Sequence, residues 1–349
     1  MSAVSLTNFL CFSLTVLQLL TPIVAIGEEC ALNTECVHLR KCPFIKSRIH
    51  QMPRKPYCNL NQRGTYVCCP VEPKPYVDSK DQERRVVKEC KSYQNVRKCD
   101  QSFIVGGEKA DPKEFPFMAL LIYQRGGESP SYICGGSLIS SKFVLSAAHC
   151  FYQPRNPNII RLGELDYGRT DDDASPVNIA IKKYTNHEGY NHLGDKFHDI
   201  AVVELEREVQ FNDYIMPICL PLVDGRAFTQ FLAAGWGAVK DFGESSSHLL
   251  KVKLDIFDDN ECLGHIDTDA DQAINTTIQM CAGSHHYARD TCTGDSGGPL
   301  FVDHPDYNCL HLILGVTSFS HGGCANIGYP AFYGRISEYV DWIEKLVWG

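Results

Sequence analysis

Residues 290–299 read Asp290-Thr-Cys-Thr-Gly294-Asp295-Ser296-Gly297-Gly298-Pro299, a glycine-rich turn built around one serine. Taken alone, a solvated loop would account for it. Three other stretches change that reading. Ser146-Ala-Ala-His149-Cys150 follows an apolar run, and His198-Asp199-Ile200-Ala201-Val202-Val203 puts an acid at the start of another. Ile104-Val105-Gly106-Gly107 opens the region that holds them all.

Together these stretches point to acyl transfer. A hydroxyl is a poor nucleophile at neutral pH and needs an adjacent base, a role His149 can fill for Ser296. The imidazole must be held in one tautomer and stabilised once charged, which a buried Asp199 would do. Glycines around Ser296 let the backbone turn sharply, so that the amides of Gly294 and Ser296 can point at a developing oxyanion. The other histidines, among them His187, His192, His285 and His286, lack a metal-binding spacing and are expected mostly at the surface.

Outward from the serine, short β-branched runs are separated by Gly, Pro, Asn and Asp clusters: 118–123, 133–139, 143–146, 177–184, 200–205, 249–256 and 312–318. Many such strands predict an all-β sandwich or barrel. A helix closes the chain, with Ser337 as its expected cap and Val340, Ile343, Leu346 and Val347 on one apolar face. No internal repeat is present.

The chain has 349 residues, 42 acidic against 33 Lys and Arg, and a formal charge of −9. That acid surplus argues against nucleic acid as a partner. Seventeen cysteines argue for an oxidising compartment. Residues 1–27 carry no charged side chain and end on Ala25 and Gly27, as a secretory leader would. Its removal takes Cys11 and leaves an even number of cysteines in a secreted, extracellular protein. No later segment is apolar enough to span a membrane.

Residues 30–69 hold six cysteines, and so small a segment needs disulfides in place of a core. Each is worth about 2–4 kcal/mol. Cys68 and Cys69 are neighbours, so each should reach a different partner. Residues 70–103 read as a linker and activation segment, rich in Pro and charge, extended and exposed.

With these motifs in view, residues 104–349 resemble a chymotrypsin-family serine protease, and residues 30–69 resemble the clip domain of arthropod cascade proteases. Within that family the linker cysteines and Gly315-Val-Thr-Ser-Phe319 are similar to the snake and persephone type. The resemblance implies a double antiparallel β-barrel with a C-terminal helix, plus a small disulfide-rich clip domain. It implies pairs Cys30–Cys68, Cys36–Cys58 and Cys42–Cys69 in the clip, and Cys134–Cys150, Cys262–Cys281 and Cys292–Cys324 in the protease. It also implies Cys99–Cys219 as a tether. Cys90–Cys309 is then expected from parity alone.

The family further implies a zymogen, in which a new ammonium at Ile104 pairs with the Asp295 carboxylate after cleavage. Phe103 precedes Ile104 where most members carry Arg or Lys, so the activating protease is expected either to be chymotrypsin-like or to cut nearby, around Arg97 and Lys98, with trimming afterwards. Asp290 occupies the pocket-floor position of trypsin-like members and favours substrates with Arg or Lys before the scissile bond. Ser320 and Ala331 stand where those members usually have Gly, and each narrows the pocket.

Two features are less specific. Glu164 and Asp166, followed by Asp171, Asp172 and Asp173, lie in the loop where several members bind calcium; an acidic solvated loop accounts for them equally well. Asn275-Thr276-Thr277 is a glycosylation sequon. The family implies a protein substrate (a downstream zymogen or precursor), an upstream activating protease and a serpin inhibitor, in an immune or developmental cascade. No cofactor is required. A non-catalytic homologue that recruits partners would be expected to lose the nucleophile, which this chain keeps. A digestive protease would not need the clip.

Overall fold

The computed structural model describes residues 34–38, 66–70, 81, 83–96, 108–152, 154–194, 196–238, 243–264, 273–287, 291, 294–320 and 327–349. The chain divides into two units, Met1–Glu72 and Pro73–Gly349. The first contains β1 (Thr34–His38) paired antiparallel with β2 (Tyr66–Pro70), with Cys36 opposite Cys68 in the backbone register. The leader and the side chains behind the three clip disulfides lie outside the described residues.

In the second unit, β4 (Met118–Tyr123), β5 (Ser131–Leu138), β6 (Phe143–Ser146), β7 (Ile159–Leu162), β8 (Val177–Asn186) and β9 (Ala201–Leu205) close one barrel in the order β4-β5-β6-β9-β8-β7. A second is formed by β10 (Gln230–Gly235), β11 (Leu250–Phe257), β12 (Gln279–Gly283), β13 (Pro299–Asp303), β14 (His311–Ser320) and β15 (Ala331–Arg335). Their order is β10-β13-β14-β15-β12-β11, closed by pairing β10 with β11. The short β3 (Glu108–Lys109) pairs antiparallel with Leu250 and Lys251 at the start of β11. Closure removes the sheet edges and encloses side chains from every strand. This is the double antiparallel barrel that the resemblance implied.

The segment expected to be an extended linker contains a helix, α1 (Arg85–Tyr93). Val86, Val87, Cys90 and Tyr93 fall on one face of a 3.6-residue period and are all buried, leaving the charged residues outside. Tyr93 donates to the Ile139 carbonyl at 3.2 Å and meets Phe211 edge-on. Docking places Cys90 against Cys219, and these two form a disulfide with Cα atoms 5.2 Å apart. The expected pairs Cys90–Cys309 and Cys99–Cys219 are therefore both corrected. Parity counts cysteines but does not say which one a docked helix presents. Cys309 is also disulfide-bonded, to a residue other than Cys90. Cys99 lies outside the described residues.

The closing helix also begins later than expected. Ser337 lies in a 3-10 turn (Ile336–Tyr339) and caps nothing; α3 runs Val340–Trp348, after α2 at Asp259–Gly264. Val340 and Ile343 are buried, with Leu346 and Val347 packed partly against the core. No helix among the described residues is long and apolar enough to cross a membrane.

Candidate active site

His149 sits on a 3-10 turn (Ala148–Phe151) just after β6. Its Nδ1 is 2.7 Å from Asp199 Oδ2, and its backbone N–H donates to Asp199 Oδ1 at 2.8 Å. Asp199, two residues before β9, is 2% exposed. Ser318 of β14 donates its hydroxyl to the same Oδ2 at 2.5 Å. An ionised carboxylate only accepts, so Nδ1 carries the proton and Nε2 is left as a base. Ser318 belongs to the second barrel and Asp199 to the first, so this bond is part of the cleft between them.

The Ser296 turn is fixed to both barrels. Its carbonyl accepts the Gly135 N–H of β5 at 2.8 Å, and Gly297 N–H donates to the Thr317 carbonyl of β14 at 2.8 Å. Next to Gly135, Cys134 is disulfide-bonded to Cys150, the neighbour of His149, and Cys150 Sγ lies 4.0 Å from the Ser296 carbonyl oxygen. A short run of bonds thus gathers the serine turn and the histidine turn. Gly294 has φ 101° and Gly297 φ 78°, backbone that L side chains rarely adopt.

Asp295 turns the other way. Its Oδ1 accepts the Gly237 N–H at 2.9 Å, and a Cβ on Gly235 or Gly237 would come within 1.9 or 2.5 Å of its carboxylate. These two glycines make the room Asp295 occupies. Phe103 and Ile104 lie outside the described residues, as does Asp290 with Cys292 and Cys324. Of the residues expected to narrow the pocket, half-buried Ser320 ends β14 opposite fully buried Ala331 at the start of β15. Beside them Thr291 Oγ1 and the Tyr333 hydroxyl are 2.8 Å apart.

In the acidic loop each of the three expected ligands has a protein partner. Glu164 takes the Leu165 N–H and the Arg161 guanidinium, and burial pushes its carboxyl up against those contacts. Asp166 accepts the Gly168 N–H, while Asp171 is exposed and paired with Arg169. Among the described residues no three carboxylates of this loop converge. The convergent groups Cys134, His149, Cys150 and Cys90, Cys219, His304 hold disulfide sulfurs, which are not metal-binding thiolates. The Cys262–Cys281 pair is present, with Cα atoms 5.8 Å apart. Asn275 is exposed, and its Oδ1 accepts the Thr277 N–H at 3.0 Å.

The role of Ser318 was not legible in sequence. Nor was the cluster behind Asp199, where half-buried His187 stacks on His198 and both meet Tyr339. Only the position of His198, one residue before Asp199, could have drawn attention to it.

A pair of six-stranded antiparallel barrels with a His–Asp pair and a glycine-bound serine between them defines a serine endopeptidase of the chymotrypsin class. The chain belongs to the trypsin family, whose model matches residues 104–343. It is similar to the venom serine protease Bi-VSP of Bombus ignitus, 32% identical over 91% of this chain and 92% of that protein. It is equally similar, at 32%, to the CLIP domain-containing serine protease B4 of Anopheles gambiae, over 93% of this chain and 91% of the relative. Phenoloxidase-activating factor 3 of Holotrichia diomphalia is 37% identical over 71% of this chain and 73% of its own. These relatives place the chain among the clip-domain serine proteases.

Proposed function

We propose that the protein is a secreted zymogen that, once cut between Phe103 and Ile104, cleaves another extracellular protein after Arg or Lys. The observation that carries the reading is the Asp199 carboxylate, buried and holding both the amide and Nδ1 of His149. His149 Nε2 takes the Ser296 proton as the Ser296 oxygen attacks the scissile carbonyl. The amides of Gly294 and Ser296 receive the oxyanion, and the imidazolium returns its proton to the leaving amine. Water then releases the acyl group by the same path. No cofactor enters.

The switch is the Ile104 ammonium against Asp295, supported by the glycine-cleared space around that carboxylate. Breaking a buried pair of this kind costs about 3–5 kcal/mol, enough to order or release a loop. Asp290 gives the basic preference. The relative whose name makes it a phenoloxidase-activating factor supports a substrate that is itself a precursor protein. A serpin and an upstream protease complete the cascade. Protein cut before Ile104 should react at Ser296 with a fluorophosphonate, and Ser296→Ala should not; a cut protein inert to the reagent would end the proposal. Comparison of Arg, Lys and Phe reporter peptides tests the pocket, and a preference for Phe would remove the role given to Asp290.

A further inference from the structure

We propose that His198 is a positioning residue for this site: held by Tyr339 and His187, it fixes the turn that aims the Asp199 carboxylate at His149. The inference rests on the proposed role of Asp199 and extends it to a cluster on the far side of that residue.

Three observations converge. The first is backbone. His198 has φ 55°, a left-handed conformation uncommon for a residue with a side chain. Its carbonyl accepts the Ile200 N–H at 2.7 Å, which makes a three-residue turn with Asp199 at the centre. The direction of the Asp199 side chain is therefore set by whatever holds His198 in place.

The second is the cage around the His198 ring. Its Nδ1 is 3.2 Å from the Tyr339 hydroxyl, and the Tyr339 ring meets it edge-on at 5.8 Å. The His187 ring stacks on its face at 4.7 Å, 13° from parallel. A Cβ on Gly189 would reach 2.6 Å from His198 Cδ2, so only glycine leaves the ring its room. His187 also ties to the strand, its N–H donating to the Ile200 carbonyl at 3.0 Å. Trp342 closes the cluster, 5.0 Å from the His187 ring with its indole N–H on Glu188 at 3.4 Å.

The third is protonation. Burial lowers the pKa of both imidazoles, and each would repel a charge on the other in the stack. Glu188 opposes this at His187, and Lys345 faces Glu188. Burial raises the Tyr339 phenol, with Glu338 and Asp199 adding to it, so the hydroxyl stays protonated. A neutral His198 and a protonated phenol therefore share one hydrogen bond between Nδ1 and the hydroxyl, whichever of the two donates. No other part of the proposed mechanism uses these groups.

The test uses activated full-length protein and a peptide anilide substrate. Tyr339→Phe removes one oxygen and keeps the ring. His198→Asn keeps a residue that tolerates the left-handed region. Each should lower kcat about tenfold while KM stays within twofold, and the double variant should be no worse than His198→Asn alone, because both act through one bond. Unchanged kcat in both single variants, KM rising in step with the loss, or simple multiplication of the two losses would each overturn the inference. Asp199→Asn is the control, expected to lose about 10⁴ in kcat. If Asp199→Asn stays active, the proposed function itself fails. If it is inactive while Tyr339→Phe and His198→Asn are normal, only the positioning role fails.

Discussion

Cys90 and Cys219 are joined by a disulfide across 129 residues of sequence, so α1 is fastened to the catalytic unit upstream of that unit's first strand. The bond is buried on both sides, at 3% and 1% exposure, beneath a helix that covers part of the core. Closing so long a loop restricts the unfolded chain, and the bond should contribute about 2–4 kcal/mol. Non-reducing peptide mapping should recover Cys90 with Cys219. The double variant Cys90→Ala/Cys219→Ala should lose that much unfolding free energy in a denaturant titration. A Cys90–Cys309 peptide would contradict the structure.

Glu344 of α3 caps α1 from outside. The N-cap residue Arg84 offers no side-chain acceptor, and Glu344 Oε1 instead accepts the Val86 N–H at 3.0 Å. Its Oε2 lies 2.6 Å from the Arg84 guanidinium, which also reaches Asp341. The Arg84 and Glu344 side chains are 28% and 20% exposed, so screening trims the ion pair and the capping bond is the larger part. Glu344→Ala should cost about 1–2 kcal/mol, and Glu344→Gln should recover part of it by keeping the acceptor. Equal losses in the two variants would show that charge, not capping, is what matters.

These two contacts also mark where the sequence stops being legible. The serine turn, the histidine turn and the acid are local motifs, and their convergence follows from the chemistry they share. β4 was readable because its apolar run is continuous, and β9 because only Glu204 interrupts its run. Two other strands, β12 (QMCAG) and β15 (AFYGR), are buried at every position yet mix Gln, Gly and Arg with apolar residues, so no period announces them. Arg335 is only 2% exposed because its guanidinium caps the carbonyls of Asp224, Thr276 and Gln279, partners supplied by the fold. Likewise α1 hides in a charged segment because its outer face is charged, and the His198–Tyr339 contact spans 141 residues.

His304 links stability to acid. It is 6% exposed, with its Nδ1 accepting the N–H groups of Asp306 and Tyr307 at 3.1 and 3.2 Å. Burial, with some repulsion from His311, lowers its pKa to about 4. The unfolded chain titrates near 6.5, so between these values it binds more protons than the folded one. Stability is thus complete above about pH 6.5 and declines as pH falls toward 4, by up to about 3 kcal/mol from this residue. In His304→Asn a neutral acceptor remains, and the loss in Tm between pH 7.5 and 4.5 should shrink. An unchanged loss would assign the acid sensitivity elsewhere.

Gly297 carries the sharpest steric prediction. At φ 78° an added Cβ would lie 2.2 Å from Ser146 Oγ, 2.6 Å from the Gly135 carbonyl oxygen and 2.9 Å from the Ala147 nitrogen. Two of these are backbone atoms in the bonded seam that joins the serine turn to the histidine turn, and they have no rotamer by which to withdraw. Gly297→Ala must therefore push the Ser296 turn away from β5 and weaken the Gly135–Ser296 bond. Fluorophosphonate labelling of the activated variant should slow by more than about 100-fold, the scale of losing oxyanion alignment. Gly126→Ala is the matched control, at φ 49° with nothing within 4 Å of the new carbon. It should cost only about 1 kcal/mol of backbone strain and leave labelling intact. If Gly297→Ala labels at the normal rate, the serine turn is not seated as described.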